Sequence, residues 1–76
     1  MYDVTVNFNG ETFIKKTKDV KKTLLSFKPA QLHTEIYLTI GKNGEIRDRR
    51  LSLQQGKKLF NDENFIDVFI INLLLK

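Results

Sequence analysis

The chain has 76 residues, enough for one small domain, and it contains no cysteine for a disulfide framework or a thiolate metal site. Hydrophobic residues make up 41% of the sequence and charged residues 29%, a balance typical of folded proteins and not of disordered ones. The net charge of +4 favours an anionic partner, although small proteins often carry a few spare lysines.

No segment reaches the roughly 18–20 apolar residues that a membrane span needs. The N-terminal residues alternate and include an acid, whereas a signal peptide has a basic start and an apolar run. We therefore expect a cytoplasmic protein that does not associate with membranes.

The first segment alternates apolar and polar residues from Tyr2 to Phe8, which predicts a β-strand with one buried face. Asn9-Gly10 follows, and this dipeptide favours a two-residue type I′ turn because both central positions need positive φ. The return strand is expected over Glu11 to Thr17, with Phe13 on the core face and Ile14 on the other.

An amphipathic helix is predicted from Val20 onwards, because Val20, Leu24 and Phe27 recur at helical spacing. Pro29 ends it, since the residue before a proline is pushed out of the helical region. Residues 30–33 then form a connection to the second half of the chain.

A second hairpin is predicted from Ile36 to Leu51, and its turn allows two registers. A two-residue turn at Asn43-Gly44 would put Arg47 and Arg49 on the core side. A loop of residues 41–45 would turn both arginines outward beside Tyr37 and Thr39. Because burying an unpaired guanidinium is costly, the longer loop is favoured. In either register the return strand lacks apolar residues, so we expect it at an edge of the sheet.

Two further helices are expected after the second hairpin. Ser52 to Gln55 match the capping-box pattern Ser-x-x-Gln, which predicts a short helix through Phe60. Gly56 lies inside that helix at a cost of about 1 kcal/mol relative to alanine. Asn61-Asp62 can cap a last helix over Glu63 to Leu75.

The chain therefore contains two halves, 1–30 and 33–76, each with a hairpin followed by a helix. We expect both halves to form a single domain spanning residues 1–76. The order ββαββαα predicts an α+β fold in which a four-stranded antiparallel sheet, built from two β-hairpins, has its helices on one face.

The last helix is apolar around nearly its whole circumference, which is unusual for a surface helix. One interpretation makes it the central core helix, and another gives it a spare face that binds a second copy or a host protein. A strand is the alternative, because residues 68–71 favour strands, but length and the Asp62 cap favour a helix. The candidate interface residues are Phe65, Ile66, Phe69, Ile70, Leu73 and Leu74.

Basic and aromatic residues of the strands suggest a second candidate surface, where arginines would bind phosphates and a tyrosine would stack on a base. Asp48 weakens this hypothesis, and no helix-turn-helix, finger or ribonucleoprotein motif accompanies it. Charge that keeps an edge strand soluble is the alternative interpretation. The candidate nucleic-acid-binding residues are Tyr37, Arg47, Arg49, Arg50, Lys15 and Lys16.

No residues with the spacing of a catalytic, metal or cofactor site stand out. His33 is the only histidine, and neither a second histidine nor a cysteine is present to form a metal site or catalytic pair. The four glycines do not form a phosphate-binding loop. We therefore expect a non-enzymatic protein with no cofactor and no small-molecule substrate.

The layout of hairpin, helix, hairpin and apolar C-terminal helix, with the segment KKLFND at Lys57 to Asp62, resembles small accessory proteins of phages that infect low-GC bacteria. The resemblance implies a protein that binds and modulates a host protein, and it carries over no functional residue. The sequence thus predicts a small protein-binding module that binds a host protein or forms a homodimer. A small basic nucleic-acid-binding protein is the alternative.

Overall fold

The computed structural model describes residues 1–27 and 29–74. Its strands form one antiparallel sheet in the order β2-β1-β3-β4, and three helices pack on one face. The α+β class and the order ββαββαα are confirmed. The predicted end of the last helix at Leu75 lies outside the described residues. The elements are β1 (Tyr2–Phe8), β2 (Glu11–Thr17), α1 (Val20–Phe27), β3 (Ile36–Lys42), β4 (Glu45–Leu51), α2 (Leu53–Asn61) and α3 (Glu63–Leu74).

The core lies between the central strands and the helices. Val4 and Val6 of β1 are fully buried and lie opposite Ile40 and Leu38 of β3. The alternate residues of β1, Asp3, Thr5 and Asn7, are exposed or half-buried, as the alternation predicts for a sheet with one covered face. The first hairpin has the predicted two-residue turn, with Phe8 opposite Glu11.

The second hairpin also has a two-residue turn, so the predicted loop of residues 41–45 is wrong. Asn43 and Gly44 have φ values of 55° and 83°, the left-handed conformation that a type I′ turn requires. Lys42 and Glu45 pair directly across this turn. Arg47 and Arg49 consequently do not point outward beside Thr39 and Tyr37.

Instead, Arg47 and Arg49 lie opposite Ile40 and Leu38 on the side that the helices cover. The desolvation penalty that we expected there does not arise, because β4 is an edge strand and its long side chains reach past the helices to water. Arg49 is exposed, and Arg47 keeps 32% of its side-chain surface accessible. The predicted position of this strand at the sheet edge is confirmed.

Each of the three helices starts at a side-chain cap. The Asp19 Oδ1 accepts a hydrogen bond from the backbone N–H of Lys22 at the start of α1. Ser52 and Gln55 form the reciprocal capping box of α2, each backbone N–H donating to the other side chain at 3.2 Å. The C-terminal segment is helical rather than extended, and Asp62 caps it by accepting from two backbone N–H groups.

Helix α2 crosses the sheet closely at Gly56, which is buried. A Cβ added there would lie 2.7 Å from Ile36 Cδ1 and 2.8 Å from Leu32 Cδ2. The glycine that sequence analysis treats as a cost to the helix therefore permits the contact between helix and sheet. None of the described helices is both long and apolar enough to cross a membrane.

Candidate protein-interaction surfaces

The six candidate nucleic-acid-binding residues do not form one patch, because the sheet separates them. Three lie on the open face, which none of the described helices covers, and three lie on the covered side. The open-face residues are Lys16, Tyr37 and Arg50, and the covered-side residues are Lys15, Arg47 and Arg49. The lysines are on β2 and the arginines on β4, at opposite edges of the sheet. The two edges are about 14 Å apart, since neighbouring strands are separated by roughly 4.8 Å.

On the open face, Arg50 is already engaged by its neighbours. Its Nη1 donates to the Tyr37 hydroxyl at 3.4 Å, and its Cζ lies 5.9 Å from the Tyr37 ring centroid. Its Nε is 3.3 Å from Glu35 Oε2. The hydrogen bond to Tyr37 and the charge of Glu35 raise the pKa of the Arg50 guanidinium. The carboxylate therefore competes with any phosphate that would bind there.

On the covered side, the two arginines of β4 differ in their partners. Arg47 Nη2 is 4.0 Å from Glu45 Oε2, the outer limit of an ion pair. Arg49 Nη1 donates to the backbone oxygen of Asp48 at 2.7 Å. Arg49 therefore has no carboxylate partner among the ion pairs of the described residues.

The open face is a platform of small residues with larger apolar side chains on three of its strands. Thr5 and Thr39 lie opposite each other at its centre. Ile14, Tyr37 and Ile46 project from β2, β3 and β4, and their exposed fractions are 73%, 52% and 70%. Large exposed apolar groups that lie on one face mark interaction sites more often than the same groups scattered singly.

The charges of this platform balance. Two acidic and two basic residues of the strands lie on it, namely Asp3, Asp48, Lys16 and Arg50. Asp3 lies directly opposite Lys16, and Glu35 adds a further negative charge beside Arg50. A nucleic-acid platform instead combines its aromatic rings with a clearly positive surface.

The candidate interface residues of α3 point mainly inward. Ile66 and Leu73 are buried in the core. The other four are half-buried and pack against that core: Phe65, Phe69, Ile70 and Leu74. Most of the surface of these residues is therefore used in folding. Their role in partner binding stays a prediction.

The exposed apolar residues of α3 are Val68 and Ile71, which sequence analysis did not place in the interface. Asp67, next to Val68 in the helix, is also exposed, and its Oδ1 lies 2.9 Å from Lys21 Nζ of α1. A helix that is apolar all round gives no periodic contrast from which its exposed side could be read. By contrast, strand parity and the Asn-Gly turn could have placed Ile46 on the open face.

Side chains that could bind a metal ion are not clustered in the parts of the chain that the structure describes. Within residues 1–27 and 29–74, no group of three or more His, Cys, Asp and Glu residues could hold a metal ion. The backbone N–H of His33 donates to Asn9 Oδ1 at 2.7 Å, and His33 itself is exposed. His33 thus participates in a contact that fixes a loop.

Comparisons with family models, with curated protein sequences and with solved structures found no match. The candidate interaction surfaces are therefore the open sheet face and the arginines on the covered side of β4.

Proposed function

We propose that this chain is a small protein-binding module that catalyses no reaction and that binds its partner through the open sheet face. The observation that supports the proposal is the arrangement of Ile14, Tyr37 and Ile46, which are exposed over a floor of small residues. An aromatic residue and two large aliphatic residues supply the apolar contact area that protein interfaces use at their centres.

Charge favours a protein over a nucleic acid as the occupant of this face. Phosphate contacts dominate nucleic-acid affinity, and they need an excess of lysine and arginine on the contacting surface. The open face offers equal numbers of acidic and basic strand residues, and Arg50 is bound to Glu35. A protein surface that combines mixed charge with apolar side chains fits this pattern better. The resemblance to phage accessory proteins would make that partner a host protein whose activity is modulated by binding.

A pair of matched substitutions tests the proposal. Ile46→Lys places a charge on the open face, and Val68→Lys makes the same change on the exposed side of α3. The two positions are comparable because their exposed fractions are 70% and 59%. We expect a partner captured by the wild type to be retained by Val68→Lys and lost by Ile46→Lys, with direct titration of the purified partner as the quantitative measurement.

The opposite result, loss with Val68→Lys and retention with Ile46→Lys, would move the interface to α3. Retention of the partner by both variants would show that the partner does not bind through the open face. Nuclease treatment of the captured material separates protein contacts from contacts mediated by nucleic acid.

Nucleic-acid binding remains the second candidate because Arg49 has no carboxylate partner among the ion pairs of the described residues and lies on the same side of β4 as Arg47. Titration with mixed DNA and RNA at about 50 mM salt tests it, since phosphate contacts are strongest at low salt. Absence of binding under that condition would exclude this candidate. Binding that survives Arg47→Gln and Arg49→Gln together would place the contact elsewhere.

A further inference from the structure

Both edge strands of the sheet leave backbone hydrogen-bonding groups unpaired. In each two-residue hairpin the pair next to the turn is hydrogen-bonded, so alternate residues direct their N–H and C=O groups away from the neighbouring strand. On β2 the outward-directed residues are Thr12, Ile14 and Lys16, and on β4 they are Ile46, Asp48 and Arg50. Either edge could in principle add a strand from another molecule.

Two copies that pair edge to edge around a two-fold axis are antiparallel, and their helices lie on the same side. Residues opposite each other must then belong to the same face of the sheet. A register is centred on the residue that lies opposite the same residue of the second copy. For β4, at least five residues pair only in the registers centred on Arg47, Asp48 or Arg49. All three residues are charged, so each register opposes two like charges at its centre, although the registers centred on Arg47 and Arg49 also form attractive pairs (Glu45 with Arg49, and Asp48 with Arg50). Pairing of β4 with itself is therefore disfavoured, since like charges directly opposite destabilise a sheet.

The edge of β2 has a register that forms complementary charge pairs and opposes no like charges, and β4 has no such register. When two copies of Glu11–Thr17 are centred on Phe13, Glu11 lies opposite Lys15 of the second copy at both ends. Thr12 then lies opposite Ile14, and the two Phe13 residues face each other. Lys16 falls beside the turn of the other copy rather than opposite a lysine. The register centred on Ile14 lacks these ion pairs, and the one centred on Lys15 opposes two lysines.

A cavity at the turn end of the same edge, between the first hairpin and residues 29–31, is large enough for a side chain of a second copy. It has a volume of about 360 Å³ and lies beside Phe13, with Glu11, Phe8 and Phe27 in its lining. The Phe13 ring is 5.2 Å from the Phe8 ring and 5.3 Å from the Phe27 ring between centroids. A Lys15 side chain opposite Glu11 could lay its aliphatic part along these rings and its ammonium group against the carboxylate.

We propose that two copies of this chain form a homodimer through their β2 edges, which joins two four-stranded sheets into one continuous sheet. The register is centred on Phe13. Ile14, with 73% of its surface exposed in the single chain, becomes covered by Thr12 of the second copy. This inference goes beyond the proposed partner binding, because most of the open face remains free in such a dimer.

Reciprocal charge exchange tests both the edge and the register. Sedimentation velocity from about 1 to 500 µM is expected to show a dimer of the wild type. Glu11→Lys opposes lysine to Lys15, and Lys15→Glu opposes glutamate to Glu11, so each variant is expected to raise the dimer dissociation constant at least tenfold. Mixing the two variants restores both attractive pairs and should restore a heterodimer, as should combining both substitutions in one chain.

Two proline substitutions serve as a second test that does not alter charge pairing at β2. Ile14→Pro removes an outward-directed N–H of β2 that β1 does not use, and Asp48→Pro removes the equivalent N–H of β4. We expect Ile14→Pro to be monomeric and Asp48→Pro to remain dimeric, with circular dichroism confirming that both are folded. If either variant is unfolded, the charge-exchange mixture decides.

A wild type that stays monomeric at 500 µM would overturn the proposal. A dimer that survives both charge substitutions, or one that Val68→Lys disrupts while Glu11→Lys does not, would overturn it as well. Ile46→Lys distinguishes this proposal from the proposed function, because that variant should lose its partner protein and keep the dimer.

Discussion

Asn9 in the first hairpin turn holds His33 in the distant connection between α1 and β3. Its Oδ1 accepts from the His33 backbone N–H at 2.7 Å, and its Nδ2 donates to the Gln31 backbone oxygen at 2.7 Å. The backbone N–H of Asn9 also donates to Thr34 Oγ1. One residue therefore supplies the left-handed conformation of the turn, with φ of 54°, and fixes a loop that has no regular structure of its own.

This dual role predicts different effects for two similar substitutions. Asn9→Gly keeps the turn conformation but removes two side-chain hydrogen bonds, and we expect a loss of about 1–2 kcal/mol in the free energy of unfolding. Asn43→Gly at the equivalent turn position should be nearly neutral, because among the described residues the hydrogen bonds of Asn9 have no counterpart at Asn43. Urea denaturation measures both, and equal losses would contradict the assignment.

Gly56→Ala is expected to destabilise the protein although alanine is the better helix former by about 1 kcal/mol. The new Cβ would lie 2.7 Å from Ile36 Cδ1, and Ile36 is fully buried with little room to move. We expect a net loss of about 1–3 kcal/mol in thermal or urea unfolding, the usual range for overpacking.

A second substitution checks the cause of that loss. Ile36→Val removes the Cδ1 atom, so the double variant should lose less than the sum of the two single losses. Additive losses would mean that the contact between Gly56 and Ile36 does not limit the approach of α2 to the sheet.

The ion pair between Lys21 and Asp67 is expected to join α1 to α3 in a pH-dependent way. The hydrogen bond to Asp67 raises the pKa of Lys21 above 10.5, so protonated lysine is favoured in the folded state. Its contribution to stability is therefore complete below pH 10.5 and is lost as the pH rises through the higher folded-state value.

Thermal unfolding of the wild type and of Lys21→Met at a series of pH values measures this contribution. The difference in melting temperature should be greatest near neutral pH, decrease with added salt, and disappear at strongly alkaline pH. Asp67→Asn should give the same salt dependence. A difference that is independent of both pH and salt would assign the effect to the packing of the lysine stem.

Local sequence signals predicted most of the fold, because they depend on neighbouring residues alone. Alternation along β1 and β3, the Asn9-Gly10 turn and the Ser52–Gln55 capping box each specify an element without knowledge of distant contacts. The signal at Asn43-Gly44 was equally local and pointed to the observed turn. The cost of burying arginine favours the longer loop only for a central strand, because on an edge strand such as β4 long side chains reach water.

The interaction surfaces were less predictable for two physical reasons. The face on which Arg47 and Arg49 lie depends on register, and a shift of one residue moves every side chain of a strand to the other face. In α3, apolar residues occur all round the helix, so the pattern could not separate the buried Ile66 from the exposed Val68 and Ile71.

The sequence by itself determined the seven elements, their order and the first Asn-Gly turn, since each depends on backbone preferences and short-range periodicity. Only the tertiary structure decided that β1 pairs with β3, which places these two strands at the centre and makes β2 the edge opposite β4. It also decided which apolar side chains stay exposed. These outcomes depend on which strands pair and where the helices stop covering the sheet, and residues far apart in the chain determine both.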